Sequence, residues 1–416
     1  MTGRKIRNAC LALALVLLTA LATAGCAESY DGITLYVMDG NAYALDLYED
    51  MINAFVEAHP GLIVEVQHAA DNSDVILATR ISAGDIPDIF AAGAGLSIEK
   101  YREYVYQWQD DADVLALFQD SAIESVRKPD GAILGLPDTF ATPGFLYNVD
   151  VFERAGIETP PKTLAELEEA CEKIAAIGVT PFALATASGW PLSQMAEGFT
   201  IDRTLGAAGT AAKINAGEAT VTEASGFYPN LFKILDLAVQ YGPKAPLEID
   251  WEIAENMLAN GEAAMIHIGD WCYQVLIDAN PDCNISMMAT PLSDDPNDAV
   301  AIASVAWEFM VNKDSEHLEL AKELCVWILA SEPGCHFFIN GQGVPCAKND
   351  LPPANMLQEG SAALQKEGVV IDRLMNYLPA SGGFGTVQYE ALQGYMLGIL
   401  SAEDAMQAID EAWIVE

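Results

Sequence analysis

The sequence predicts an α/β fold built as two lobes joined by crossing strands. Three observations point there. Apolar β-prone runs alternate with helical repeats across short polar turns. Two longer β-prone runs, 140–148 and 300–311, each stand between helical blocks, where a chain would cross from one lobe to the other. The 416 residues suffice for two or three domains at roughly 100–200 residues each.

Taken in order, residues 33–38 (ITLYVM) read as the first strand. After the polar break Asp39-Gly40-Asn41, a helix is predicted from Ala44, Tyr48, Met51, Ile52, Phe55 and Val56, which recur at helical spacing. His59-Pro60-Gly61 stops it, and residues 62–66 (LIVEV) form the next strand. Strand, helix, strand with short turns favours a parallel unit. A second helix over 75–84 ends at Gly84, and residues 89–92 (IFAA) make a buried strand. A second block opens with a strand at 144–148. Thr163 then caps a helix, with Glu166 completing a capping box and Leu164, Leu167, Cys171 and Ile174 on one face. Residues 249–269 read as helix, glycine turn and strand, and 317–331 as a buried helix. Ser401 and Asp404 cap a last helix carrying Ala405, Met406, Ile409 and Trp413.

The N-terminus reads as an export signal. Arg4, Lys5 and Arg7 precede an apolar run from about Ala9 to Ala24. The run ends in Thr23-Ala24-Gly25-Cys26, similar to a lipobox, so residues 1–25 are expected to be a lipoprotein signal peptide and Cys26 the lipidated residue. An ordinary secretory signal is the alternative. Thr23 stands where a branched apolar residue is usual. Acyl chains on Cys26 would then attach the protein to the extracytoplasmic face of the cell membrane.

Composition narrows the partners. Sixty acidic residues against twenty basic ones give a formal charge of −40, a surface that repels nucleic-acid phosphates. After Cys26 the cysteines are Cys171, Cys272, Cys283, Cys325, Cys335 and Cys346. Cys272/Cys283 and Cys335/Cys346 are close enough in sequence for loop staples, while Cys171 and Cys325 read as core. No pairing is assigned. No Cys/His spacing suits zinc, and no metal or cofactor is expected.

Catalytic signatures are missing: no H-E-x-x-H, no G-x-S-x-G, no Walker A. Gly93 and Gly95 start a G-x-G, but Ile98 stands where a third glycine belongs.

Four stretches share a resemblance. GDIPDIF (84–90) resembles a G-x-x-P-D turn before a strand. GFLYNVDVFERAGIETPPKTLAELEEACEKI (144–174) carries Y-N-x-x-x-F-x-x-x-G-x-x-x-P-P-x-T-x-x-E-L. MLANGEAAMIHIGDW (257–271) and the last helix (398–413) complete the order. Together they resemble extracellular solute-binding proteins, family 1, the sugar-binding subunits of ATP-driven importers. The resemblance implies a periplasmic-binding-protein fold, class II-like, that closes on its ligand by hinge bending. Its lobes would be 27–142 plus 299–341 and 143–298 plus 342–416. It also implies a non-enzymatic, monomeric carbohydrate binder that delivers to ABC permease subunits.

Sugars offer apolar ring faces and a rim of hydroxyls, so aromatic platforms with polar neighbours are the candidates. Trp271 follows Gly269-Asp270 at a strand end, where the family stacks ligands, and Asp270 beside it offers a carboxylate. Trp190 lies in a Gly-Pro turn, and Trp307 with Glu308 interrupts a β-prone run. Asn41 follows the first strand, Asp138 precedes the first crossing, and Tyr377 and Phe384 flank a glycine-rich loop. Trp108, Trp327 and Trp413 read as core or surface. Rival readings are a surface-anchored carbohydrate-active enzyme, a binder of some other polar solute, and a subunit signalling to a sensor kinase.

Overall fold

The computed structural model describes residues 29–40, 44–69, 73–128, 130–303, 305–377 and 383–413. The lipobox-like segment with Cys26, and the candidate Asn41, lie outside the described residues.

Two sheets organise the chain. Strands β1 (Thr34–Asp39), β2 (Ile63–His68), β3 (Ile89–Gly93), β4 (Leu136–Pro137) and β10 (Trp307–Val311) form the first, in the order β2-β1-β3-β10-β4. β1 runs parallel to β2 and β3, while β10 runs antiparallel to β3 and β4. Strands β5 (Pro143–Asn148), β6 (Thr180–Phe182), β7 (Ala263–Gly269) and β8 (Ile285–Met288) form the second, in the order β6-β7-β5-β8. A short parallel pair, β9 (Ala301–Ala303) with β11 (Val370–Asp372), stands apart from both.

Helices cover these sheets because each hides an apolar stripe. The helix Leu45–Ala58 buries Tyr48, Met51, Ile52 and Phe55, and His59 ends it, its N–H donating to the Val56 carbonyl. In Leu164–Ala176 the capping box forms as expected: the Thr163 side chain accepts from Glu166 N, and Glu166 reaches back to Thr163 N. Cys171 from that helix and Cys325 from Leu318–Ala330 are both fully buried in cores. Ser401 and Asp404 cap the last helix, Ala402–Ala412, in the same way.

The long run at 300–311 is two strands, not one. β9 ends at Ala303 and pairs with β11, whereas β10 begins at Trp307 and pairs with β3. The chain thus changes partners within a few residues, as it does between β4 and β5. A third segment joins them: Thr139 bridges to Cys346, Phe118 to Lys348, and Ala347 N donates to Asp138 O at 3.1 Å. The first core cluster accordingly reaches Cys346 and Ala347.

Among the described residues no cysteines are cross-linked, but Cys335 and Cys346 sulfurs lie 2.9 Å apart in the first core. No helix among the described residues is long and apolar enough to cross a membrane.

Candidate functional site

In parallel sheets, ligands gather at the carboxyl ends of strands. At that edge of the first sheet stand Asp39, His68 and Gly93, with the start of β10, Trp307, and the residue after β4, Asp138. At the matching edge of the second stand Gly269-Asp270-Trp271 after β7 and Thr142 before β5.

The two edges are close. Asp138 Oδ1 accepts from Trp307 N at 3.0 Å, and Asp270 Oδ1 accepts from Thr142 N at 3.0 Å. Asp138 and Thr142 are four positions apart, so these anchors stand at most about 14 Å apart along the crossing.

Three of the predicted aromatics line these edges. Trp190 is not in a turn but is the first residue of the helix Trp190–Thr200, with Gly189 at φ 75° before it. That positive φ suits glycine, and the Tyr389 ring packs where a Cβ would stand, so Gly189 fixes where the indole begins. Trp271 sits in a tight 3₁₀ turn, and its indole lies directly over Gly269. The two rings meet with centroids 6.1 Å apart and planes at 43°, both half-buried. Trp307 opens β10 rather than interrupting a strand, and its indole packs on Gly40 at the end of β1.

The carboxylates depart from expectation. Glu308, predicted to reach the ligand, is fully enclosed, and Oε1 takes Lys128 Nζ at 3.1 Å and Gly95 N at 3.2 Å. Lys128 also donates to Gly95 O at 3.2 Å, so the pair clamps the loop leaving β3. Burial pushes the Glu308 carboxyl up, against the pull of the Lys128 ammonium. Gly95 itself has φ +109°, and a Cβ there would press on the Asn376 backbone at 3.0 Å. Asp138 is buried among the crossings, its Oδ1 also accepting from Thr139 N and Oγ1, and burial raises it to about 6. Asp270 is fully enclosed and raised by burial to about 7; its carboxyl turns to Thr142 instead of lying beside the Trp271 ring. Hydrogen bonds to these three carboxyls tie the edges in place, and all three side chains are buried.

The remaining candidates separate. Phe384 belongs to the second core, edge-on to Trp413 at 5.2 Å, so it is a packing residue and not a cleft residue. Helical burial decides it: Phe384 begins Phe384–Met396, whose apolar stripe faces inward. Tyr377 is half-buried and its hydroxyl donates to Asp372 Oδ2 at 2.8 Å. Asp372 Oδ1 meanwhile accepts from Ser125 Oγ at 3.0 Å, a contact across 247 residues of sequence.

Sequence reasoning missed several groups here. His68 Nδ1 meets Asp39 Oδ1 at 2.7 Å at the ends of adjacent parallel strands. Arg373 holds the buried Glu197 with Nη2–Oε1 at 2.8 Å. Register explains the first, since Asp39 and His68 are partners across β1 and β2. No local signal announces the others. No cluster of metal-ligating side chains occurs among the described residues.

With this geometry in place, comparison with known proteins gives the class. The chain belongs to the bacterial extracellular solute-binding protein family, whose model matches residues 41–334. It is similar to an uncharacterized ABC transporter extracellular-binding protein of Pyrococcus horikoshii, 24% identical over 247 residues, covering 54% of this chain and 52% of that one. The chain thus spans about half the length of that curated relative. Two solved structures share the fold. One is a putative binding protein of Bacillus subtilis in an open conformation, with TM-score 0.75 and 17% identity, covering 93% of this chain and 98% of that one. The other is RafE of Streptococcus pneumoniae in complex with raffinose, with TM-score 0.71 and 18% identity, covering 92% and 100%. The fold is therefore the α/β, two-lobed type expected from the sequence.

Proposed function

We propose that this protein is the extracytoplasmic carbohydrate-binding subunit of an ABC importer, capturing a sugar or oligosaccharide as the lobes close and passing it to the membrane permease. The observation that carries this reading is the Trp190–Trp271 pair, half-buried at a strand edge that a four-residue crossing joins to Trp307. Flat ring surfaces of this kind suit the apolar faces of sugar rings, and closure would bring polar groups from the facing lobe to the hydroxyls. The raffinose complex of RafE, a protein of the same fold, supports the ligand class.

The lobes are 27–142 plus 299–341 and 143–298 plus 342–416, except that Cys346 and Ala347 pack in the first core, so the third passage between lobes follows residue 348. The protein acts as a monomer without catalysis. Acylation of Cys26 would hold it to the membrane, within reach of its permease. A thermal-shift screen with an oligosaccharide panel should give saturable stabilisation by RT ln(1 + [L]/Kd). The sugars should be recovered intact. Turnover that disappears when a carboxylate is replaced would overturn the reading in favour of an enzyme.

A further inference from the structure

Cys335 and Cys346, eleven positions apart in sequence, place their sulfurs 2.9 Å from each other. That is inside the contact distance of two unbonded sulfurs and approaches the roughly 2.05 Å of a disulfide. The two side chains are 5% and 2% exposed and share the first core cluster with Leu329, Phe337 and Phe338. No group of three metal-ligating side chains occurs among the described residues, so a metal does not account for the pair.

Each cysteine is held by its own backbone. Cys335 lies on the short helix Glu332–His336, which Ser331 caps by accepting from Gly334 N at 3.0 Å. Gly334 lets this helix close on the one before it, since a Cβ there would collide with the Ile328 carbonyl oxygen. Cys346 bridges to Thr139 on the crossing, and Ala347 N donates to Asp138 O at 3.1 Å. The fold therefore brings both sulfurs to one point without a covalent link to force them together.

The loop between the two cysteines touches both lobes. Gly341 packs on the helix Leu45–Ala58, where a Cβ would meet Leu47 Cδ1 at 3.2 Å. Gly343, at φ +74°, lies against the turn that carries Trp271: a Cβ there would stand 3.8 Å from the Trp271 carbonyl oxygen and 3.7 Å from Gln274 N. Gln342 N donates to Phe337 O and Val344 N to Phe338 O, both at 3.1 Å, which folds the loop back on itself. A cross-link from Cys335 to Cys346 would close it at both ends. The family is extracellular, and outside the cell disulfides form and persist. We propose that Cys335 and Cys346 form a disulfide in the exported protein, and that this bond pins loop 336–345 against both lobes. The inference needs only that location and stands apart from the sugar reading.

The bond forms by exchange with an extracellular disulfide, of a protein oxidant or a small molecule, while the chain folds and both thiols are within reach. One cysteine thiolate attacks a donor sulfur and expels the first donor thiol, leaving a mixed disulfide. The second cysteine thiolate attacks the protein sulfur of that mixed disulfide and expels the other donor thiol. Cys335 and Cys346 together give up two protons and two electrons, and the donor disulfide takes up both as two thiols.

For the test, the full chain is refolded in a buffer of oxidised and reduced glutathione. It is then alkylated with iodoacetamide in denaturant and digested with chymotrypsin without reduction. Phe337 and Phe338 offer cleavage between the two cysteines. Mass spectrometry should recover the Cys335 and Cys346 peptides as one species, lighter than the two thiol peptides by two hydrogens, with neither cysteine alkylated. Protein refolded in a phosphine reductant instead should yield them apart, and its Tm should lie at least about 3 °C lower. Cys346→Ala should have the same Tm in both buffers. The mass reading uses the parent alone, so it decides the linkage even where the variant does not fold. Four results would each overturn the proposal: both cysteines alkylated after refolding in glutathione, either one linked to a different cysteine, a parent Tm indifferent to the reductant, or a Cys346→Ala protein that responds to the reductant as the parent does.

Discussion

The indoles of Trp190 and Trp271, 81 residues apart in sequence, meet at 6.1 Å and 43° where a helix starts and a strand ends. Two rings in contact act as one surface, so their contributions to binding should couple. Trp190→Ala and Trp271→Ala should each weaken carbohydrate binding about tenfold or more, or roughly 1.4 kcal/mol. The double variant should lose less than the sum, by at least about 0.5 kcal/mol in a double-mutant cycle. Calorimetric Kd values for the four proteins check this; strict additivity would mean the rings contact the ligand independently.

Gly269 offers a sharper test of the Trp271 position. Its φ of −116° is open to any residue, yet an added Cβ would stand 1.9 Å from the Trp271 ring. Gly269→Ala should therefore push the indole aside without straining the backbone. Affinity should fall as far as in Trp271→Ala, while unfolding free energy changes by about 1 kcal/mol or less. Kd and denaturant unfolding, measured on the same preparation, separate the two effects.

Lys128 and Glu308 are both enclosed and pair at 3.1 Å around Gly95. Lys128→Met leaves a buried carboxylate alone and should cost about 3–5 kcal/mol. Adding Glu308→Gln removes that charge and should restore much of the loss. Urea unfolding of the parent, the two single variants and the double variant measures this. A Lys128→Met protein as stable as the parent would remove the pair from the account.

Stability should fall as pH rises from 5 to 8. Burial raises Glu255 to about 8 and Asp270 to about 7, whereas unfolded carboxyls titrate near 4. The folded state thus holds protons that the unfolded state has released, and stability declines with pH across that window. Asp138 and Glu308, also raised by burial, act in the same direction; His267, which burial lowers to about 3, works the other way below about pH 6.5, but with one proton against four. The large negative charge also favours low pH, so the discriminating variant is Glu255→Gln. It should raise Tm at pH 8 more than at pH 5, flattening the profile. An identical pH slope in parent and variant would contradict the assignment.

How much of this was legible in the sequence depended on range. Capping boxes at Thr163 and Ser401, the Gly84 stop and the alternating strands are local, and the structure has them where the sequence places them. Trp190 and Trp271 stood out as candidates because one sits between Gly189 and Pro191 and the other follows Gly269-Asp270 at a strand end, but no spacing announces that their rings meet. Phe384 was misread for the converse reason: a glycine-rich flank hid that it begins a helix with its own buried face. Glu308 was read as a ligand group because its partner, Lys128, lies 180 residues away.

The most direct measurement of the central claim is tryptophan fluorescence titrated with an oligosaccharide panel, for the parent and for Trp190→Ala/Trp271→Ala. The account predicts a saturable change with at least one sugar in the parent, with the response lost and the affinity reduced in the double variant. A parent protein blind to every sugar, or a double variant that binds with the parent's Kd, would contradict it.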